Sequence, residues 1–191
     1  SYDSLEAVRE SFFQAASISS STGFVSADFD QWPSFSKGIL LLLMFCGGCA
    51  GSTAGGLKIT RLMLLIKTMH SVVWQKLSPR SVVQVHANGE EYNEEILYGV
   101  ARFFVAYAIL DVLWTVLFIG DGVPTLDAIG LSVSTMGSCG PAFGSVGPTC
   151  TYAELPVFSK IIVCISMLLG RLEMFPVLAL LMPSFWRHSN W

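Results

Sequence analysis

Charge is what this sequence has least of. Only 13% of its 191 residues are charged, about half the share usual in a soluble domain. Eleven Lys and Arg against fourteen Asp and Glu leave a formal charge of −3. No basic cluster is interleaved with aromatics, so nucleic acid is not an expected partner. Cysteine is scarce too: Cys46, Cys49, Cys139, Cys150 and Cys164 form no paired framework of the small secreted kind. Cys46-Gly-Gly-Cys49 has the spacing of redox and zinc sites, but it closes the apolar run Ile39–Phe45 and opens a glycine-rich stretch. A second such pair is missing, and His70, His86 and His188 lie far off, so neither metal nor redox chemistry is expected there. The serines stand without a base beside them in sequence, and no enzyme activity is expected. Gly51 to Lys58 has the look of a phosphate loop, yet Leu57 stands where that motif needs its Lys and no strand precedes it. Residues Ser1 to Glu10 are polar and acidic, unlike a secretory leader. With no initial Met, the chain is expected to be part of a longer polypeptide.

What it has instead is apolar sequence, 52% of the chain, with a mean hydropathy of +0.58. The apolar segments are of two kinds. A membrane-spanning helix needs about 20 predominantly apolar residues. Ile96–Ile119 qualifies, broken only by Arg102 and Asp111; Pro156–Met182 qualifies in length, with Gly170, Arg171 and Glu173 inside it. Ser34–Met69 is longer still and is interrupted by the run Gly47–Gly56. Leu5–Ala16 and Leu126–Met136 are too short to span, and segments of that length are expected to be buried or re-entrant. Both have start signals: Asp3 or Ser4 with Glu6 behind, and Thr125 after Pro124 with Asp127 behind.

Each short segment runs into a stretch of small residues that cannot be regular helix. The first is Ser19-Ser20-Ser21-Thr22-Gly23-Phe24 and the second is Ser138-Cys139-Gly140-Pro141-Ala142-Phe143-Gly144. The order of short helix, small-residue loop and long helix therefore occurs twice. Setting Gly23 against Gly140 pairs Ser21 with Ser138 and Ser17 with Ser134, at an offset of 117. Beyond the loops Pro33 pairs with Pro156 and Lys37 with Lys160, at an offset of 123. Either offset carries Arg171 into the glycine-rich interruption. Internal repetition of this kind marks repeated structural units.

Non-helical backbone at membrane depth is tolerated only where protein buries it or it lines a watery cavity. A re-entrant helix aims its negative C-terminal end inward, which favours a cation. A following loop can turn carbonyl oxygens toward an axis and replace an ion's hydration shell. Gly23 and Gly140 suit such a loop because glycine adopts positive φ, and Ser21 and Thr22 add hydroxyl oxygens. Ser17 and Ser134 are expected to cap or pack the short helices. Asp111 either lines a pathway or is a buried, hydrogen-bonded carboxylate. Trp32, Trp114 and Trp186 fall near span ends and read as interfacial anchors.

The sequence resembles a known family at three places. These are Ser21-Thr22-Gly23-Phe24, the run Gly47-Gly48-Cys49-Ala50-Gly51-Ser52-Thr53-Ala54-Gly55-Gly56-Leu57-Lys58, and Gly170-Arg171-Leu172-Glu173 ending in Pro183-Ser184-Phe185-Trp186-Arg187. All three are similar to TrkH-type potassium uptake subunits of the Trk/Ktr/HKT superfamily. The resemblance implies an all-α transmembrane fold of repeated helix, pore loop, helix units with re-entrant pore helices, four units to a pore. Residues 1–69 would be the pore helix, filter and broken second helix of the third repeat, 70–95 a cytoplasmic linker, and 96–191 the complete fourth repeat. By resemblance, Ser21, Thr22, Gly23 and Phe24 and Ser138, Cys139, Gly140 and Pro141 are two filter strands holding K⁺, the transported ion. Gly47, Gly48, Cys49, Ala50, Gly51, Ser52, Thr53, Ala54, Gly55 and Gly56 look like the family's gating loop, and Arg171 like its facing basic residue. Gly137-Ser138-Cys139 departs from the asparagines and leucine common in relatives. No other cofactor is implied.

Charge independently sets an orientation. With both loops outward, one side carries Lys58, Arg61, Lys67, Lys76, Arg80 and Arg187, and the other only Arg9, Lys37 and Lys160. The positive-inside rule makes the first side cytoplasmic. His86-Ala87-Asn88-Gly89-Glu90 in the linker carries a hairpin turn signal. The expected partners, by resemblance, are the missing N-terminal repeats, a second full-length chain in a homodimer, a cytosolic nucleotide-binding regulatory subunit of TrkA or KtrA type, and membrane lipid. The expected location is the bacterial inner membrane, crossed several times. Arg171 has a structural reading, a salt bridge or hydrogen bond to loop carbonyls, and a functional one, a cationic barrier. The repeat register favours function, and the two can coexist. Two other readings of the whole stay open, a non-conducting membrane scaffold and a coupled secondary transporter with discontinuous helices.

Overall fold

The computed structural model describes residues 4–49, 51–52, 55–77, 85–87, 90–172 and 174–181. Helix α1 (Ser4–Ser19) begins with Glu6 in its first turn, where a carboxylate complements the helix dipole. Pro33 precedes α2 (Ser34–Cys46), Pro124 precedes α5 (Thr125–Met136) and Pro156 precedes α6 (Val157–Arg171). In all three the fixed proline φ prepares the first turn without losing a helical hydrogen bond. Between α2 and α5 lie α3 (Ile59–Leu77), two strands and α4 (Glu94–Gly120).

Strands β1 (Val85–Ala87) and β2 (Glu90–Tyr92) pair antiparallel, with Ala87 opposite Glu90. They flank the Asn88-Gly89 turn signal, which itself lies outside the described residues. The expectation of an all-helical chain is thus amended by one small hairpin. A second difference concerns Pro156–Met182, expected as one span. Helix α6 ends at Arg171, the Leu172 amide still bonding to Leu168 O at 3.0 Å, and α7 (Met174–Leu181) begins anew. Pro176 explains the break, because in a continuous helix its ring would strike the carbonyl of Leu172.

Among the described residues one helix, Glu95–Gly120, is long and apolar enough to cross a membrane, with a mean hydropathy of 2.1. Its neighbours are fixed by two carboxylates. Ser132 of α5 donates to Asp111 Oδ1 at 2.7 Å, and Asp121, just past α4, accepts from the Ser159 amide at 2.9 Å. The second contact satisfies a free amide in the first turn of α6. Packing follows these ties. Helices α4, α5 and α6 share the main core, which includes Tyr107, Phe118, Leu131, Met136 and Ile162. Trp114 sits in that core, 9% exposed, rather than on an interface as its place in the sequence had implied. A second core joins the two units: Ile18, Phe29, Leu40 and Met44 from the first pack on Val133 and Cys139 from the second.

Candidate functional site

The two small-residue loops share three backbone hydrogen bonds, and the Gly23 amide adds one to Ser17 O at 3.4 Å that Gly140 does not repeat. At the end of α1 the Ser20 amide bonds to Ala16 O at 3.1 Å, Ser21 to Ile18 O at 3.0 Å and Thr22 to Ser17 O at 2.9 Å. At the end of α5 the Gly137 amide bonds to Val133 O at 2.8 Å, Ser138 to Thr135 O at 3.1 Å and Cys139 to Ser134 O at 2.9 Å. Every donor and acceptor in the first set maps onto the second at the repeat offset. The pattern is a Schellman cap, which needs a left-handed residue just past the helix. Here that residue is serine both times, Ser21 and Ser138, each at φ 53°. A non-glycine residue held so carries strain of about 1 kcal/mol. The glycines two positions on, Gly23 and Gly140, take φ 76° and 102°.

A hydroxyl then holds each loop over its helix end. Ser17 Oγ donates to Phe24 O at 2.7 Å and Ser134 Oγ to Pro141 O at 2.8 Å. These serines neither cap nor merely pack; they brace the loop. What is left unbonded matters more. Among the described residues, the carbonyls of Ser21, Thr22, Gly23, Ser138 and Cys139 accept no hydrogen bond within the chain. Of these residues Thr22 is exposed, Ser21, Gly23 and Ser138 are half-buried and Cys139 is buried. The loops also meet. A methyl group on Gly23 would overlap the Cys139 carbonyl oxygen, and the Cys139 thiol reaches Ile18 O at 3.6 Å.

Below the loops lies the glycine-rich segment. Its ends close on one another, the Leu57 amide on Phe45 O at 3.4 Å and the Ile59 amide on Gly48 O at 3.1 Å. Gly47, Gly48, Gly55 and Gly56 are buried, while Cys49, Gly51 and Ser52 are exposed at the tip. Ala50, Thr53 and Ala54 lie outside the described residues, as does Glu173. The segment sits against the second loop: a methyl on Gly55 would come within 2.8 Å of both Gly137 O and Ser138 Oγ. Gly170 of α6 approaches the same point, where a methyl would overlap Met136 O. A cavity of about 60 Å³ lies there, and Ser52, Gly56, Lys58, Tyr107 and Arg171 are among its lining residues. Arg171 and the glycine-rich segment therefore share one space, as the repeat register implied. Tyr107 had no sequence signal for this position, whereas Lys58 closes the run that carries the family resemblance.

This architecture has solved and curated counterparts. The family model described as TrkH, cation transport protein, matches residues 1–188. The chain belongs to the TrkH family. It is 36% identical to the Trk system potassium uptake protein TrkH of Halomonas elongata over 97% of its own length and 38% of that protein's. It is 32% identical to TrkG of Escherichia coli K12, with the same coverage of each. The crystal structure of the potassium transporter TrkH from Vibrio parahaemolyticus superposes with a TM-score of 0.88 at 35% identity, covering 97% of this chain and 40% of that one. The chain thus spans well under half the length of the TrkH relatives it matches.

Other contacts around the loops were not foreseen from sequence. Asp30 takes the Lys37 ammonium at 2.9 Å and the Gly144 amide at 3.2 Å, tying the outer segment of one unit to that of the other. Phe29 and Phe143 pack edge to face beside it at 5.6 Å. Asp111 is half-buried and hydrogen-bonded by Ser132. The Tyr152 phenol donates to Gly140 O.

Proposed function

We propose that the full-length parent of this chain takes up K⁺ across the bacterial inner membrane through a filter of backbone carbonyls. Residues 21–24 and 138–141 supply two of its four strands. The observation that carries this is the repeated loop with its five unbonded carbonyls, set at the negative ends of α1 and α5. The names of the relatives, potassium uptake proteins, support the choice of ion. In this reading α1 and α5 are re-entrant from the outside, α4 spans the bilayer, and the chain as a whole is multi-pass.

The glycine-rich segment, residues 47–56, closes the path beneath the filter, and Arg171 is the cation that faces it. An arginine at that depth is costly unless it faces protein or water, and the shared cavity supports such a placement. The missing N-terminal repeats complete the ring. Gly140 has open space where a methyl would project, whereas its counterpart Gly23 is closed off by the neighbouring strand. Leu5 and Phe12 of α1 stand 81% and 75% exposed, as a face awaiting those repeats or lipid would. A homodimer of full-length chains and a cytosolic nucleotide-binding subunit complete the assembly in this reading.

The test is growth at low K⁺ of a bacterium without its own K⁺ uptake, carrying the full-length parent. Wild type should rescue, Gly23→Ser should fail at equal membrane abundance, and Arg171→Ala should change flux. Full rescue by Gly23→Ser would remove the carbonyl filter and move the scaffold and coupled-transporter readings ahead.

A further inference from the structure

One difference between the two units at the filter is a phenol hydroxyl. The short turn Phe29–Gln31 precedes Pro33 and α2, and the turn Tyr152–Glu154 precedes Pro156 and α6. Both turns close in the same way, Trp32 N–H on Phe29 O at 3.1 Å and Leu155 N–H on Tyr152 O at 3.3 Å. Tyr152 is therefore the register counterpart of Phe29. Phe29 is fully buried and packs its ring on Phe143. Tyr152 carries a phenol that Phe29 lacks, and that phenol donates to the carbonyl of Gly140. Resting on the filter reading above, we propose that Tyr152 is a positioning residue for ion selectivity, one that pins the Gly140 carbonyl and makes the fourth strand stiffer than the third.

In the fourth strand two successive carbonyls are held by side-chain hydroxyls, Gly140 by Tyr152 and Pro141 by Ser134. In the third strand only Phe24 is held in this way among the described residues, by Ser17. A carbonyl oxygen has two lone pairs, so one hydrogen bond leaves it able to face an ion while fixing its direction. Selectivity between alkali cations depends on how far coordinating carbonyls follow a smaller ion inward. A pinned carbonyl follows less, which disfavours Na⁺ relative to K⁺. Burial pushes the Tyr152 phenol up to about 12, so it remains a donor throughout the physiological range.

The experiment measures K⁺ and Na⁺ uptake by the full-length parent in proteoliposomes for wild type, Gly23→Ser, Tyr152→Phe and Tyr152→Leu. Tyr152→Phe keeps the ring and removes the hydrogen bond. It should still take up K⁺, with the K⁺/Na⁺ ratio lowered about fivefold, the factor set by the net free energy of one ordinary hydrogen bond. A purely packing role predicts instead that Phe matches wild type and only Leu does harm; that result overturns the proposal. Should Tyr152→Phe fail to reach the membrane, a fluorinated tyrosine at 152 keeps ring and hydroxyl while strengthening the donor. The ratio should then rise, and an unchanged ratio again overturns the proposal. If wild type conducts, Gly23→Ser does not and Tyr152→Phe keeps its ratio, only this inference falls. If wild type carries no K⁺, the filter reading falls and this inference with it.

Discussion

The two helix–loop–helix units are alike at the loop and unlike below it. Above, hydrogen bonds repeat donor by donor, from the caps at Ser21 and Ser138 to the braces Ser17–Phe24 and Ser134–Pro141. Below, both second helices break, but α2 ends at Cys46 and the next helix starts only at Ile59, whereas α6 ends at Arg171 and α7 starts at Met174. The loop is defined by local chemistry that any copy of the unit can reproduce, namely a cap, a brace and a glycine. The region beneath it depends on contacts between units, since the glycine-rich segment packs on Gly137 and Ser138 of the other copy. Symmetry is kept at the loops, where the proposed reading has an ion surrounded, and given up beneath them, where it has the path closed.

The largest expected effect breaks the lower region. Gly170→Ala places a methyl on the Met136 carbonyl oxygen, and rigid backbone cannot yield as a flexible side chain would. Separation of α6 from α5 should cost about 3 kcal/mol, at the upper end of overpacking penalties. Thermal denaturation of the detergent-solubilised parent would read this as a large fall in midpoint. A midpoint equal to wild type would mean that the two helices are not in close contact there.

A middle-sized effect tests whether the two loops are equivalent. Ser17→Ala and Ser134→Ala each leave a carbonyl without its hydroxyl, costing about 1–2 kcal/mol apiece. Comparable losses in the two variants would support a shared brace. A loss confined to one would show that the repeat is geometric without being energetic.

The smallest effect has the opposite sign. Ser21→Gly and Ser138→Gly relieve left-handed strain and should each stabilise the protein by up to about 1 kcal/mol, less glycine's entropic cost. If either is strongly destabilising, that serine has a role beyond the cap, and Ser138, whose hydroxyl faces Gly55, is the stronger candidate.

Much of this was legible in the sequence because it is written in local signals. Prolines before α2, α5 and α6, acidic first turns and Gly23 and Gly140 placed the helices and loops to within a few residues. The Asn88-Gly89 signal marked the hairpin. What stayed hidden depends on neighbours remote in sequence. Serine usually signals the start of a helix, so Ser21 and Ser138 gave no hint of left-handed caps at an end. Trp114 near a span end reads as an interfacial residue until the folded chain places it in the main core. Tyr152 looks like any loop aromatic, since only the folded chain brings its hydroxyl to Gly140. The break after Arg171 was in principle readable from Pro176, whose clash falls four residues upstream.

The central claim is that these carbonyls bind the transported ion, and its most direct test is anomalous diffraction from Rb⁺-soaked crystals of the full-length parent. The account requires a Rb⁺ peak within ligand distance of the carbonyls of Thr22, Gly23 and Cys139, lost on soaking in an ion too small for the site. A strong peak at Asp111 or in the cavity beside Arg171, with none between the loops, would contradict it.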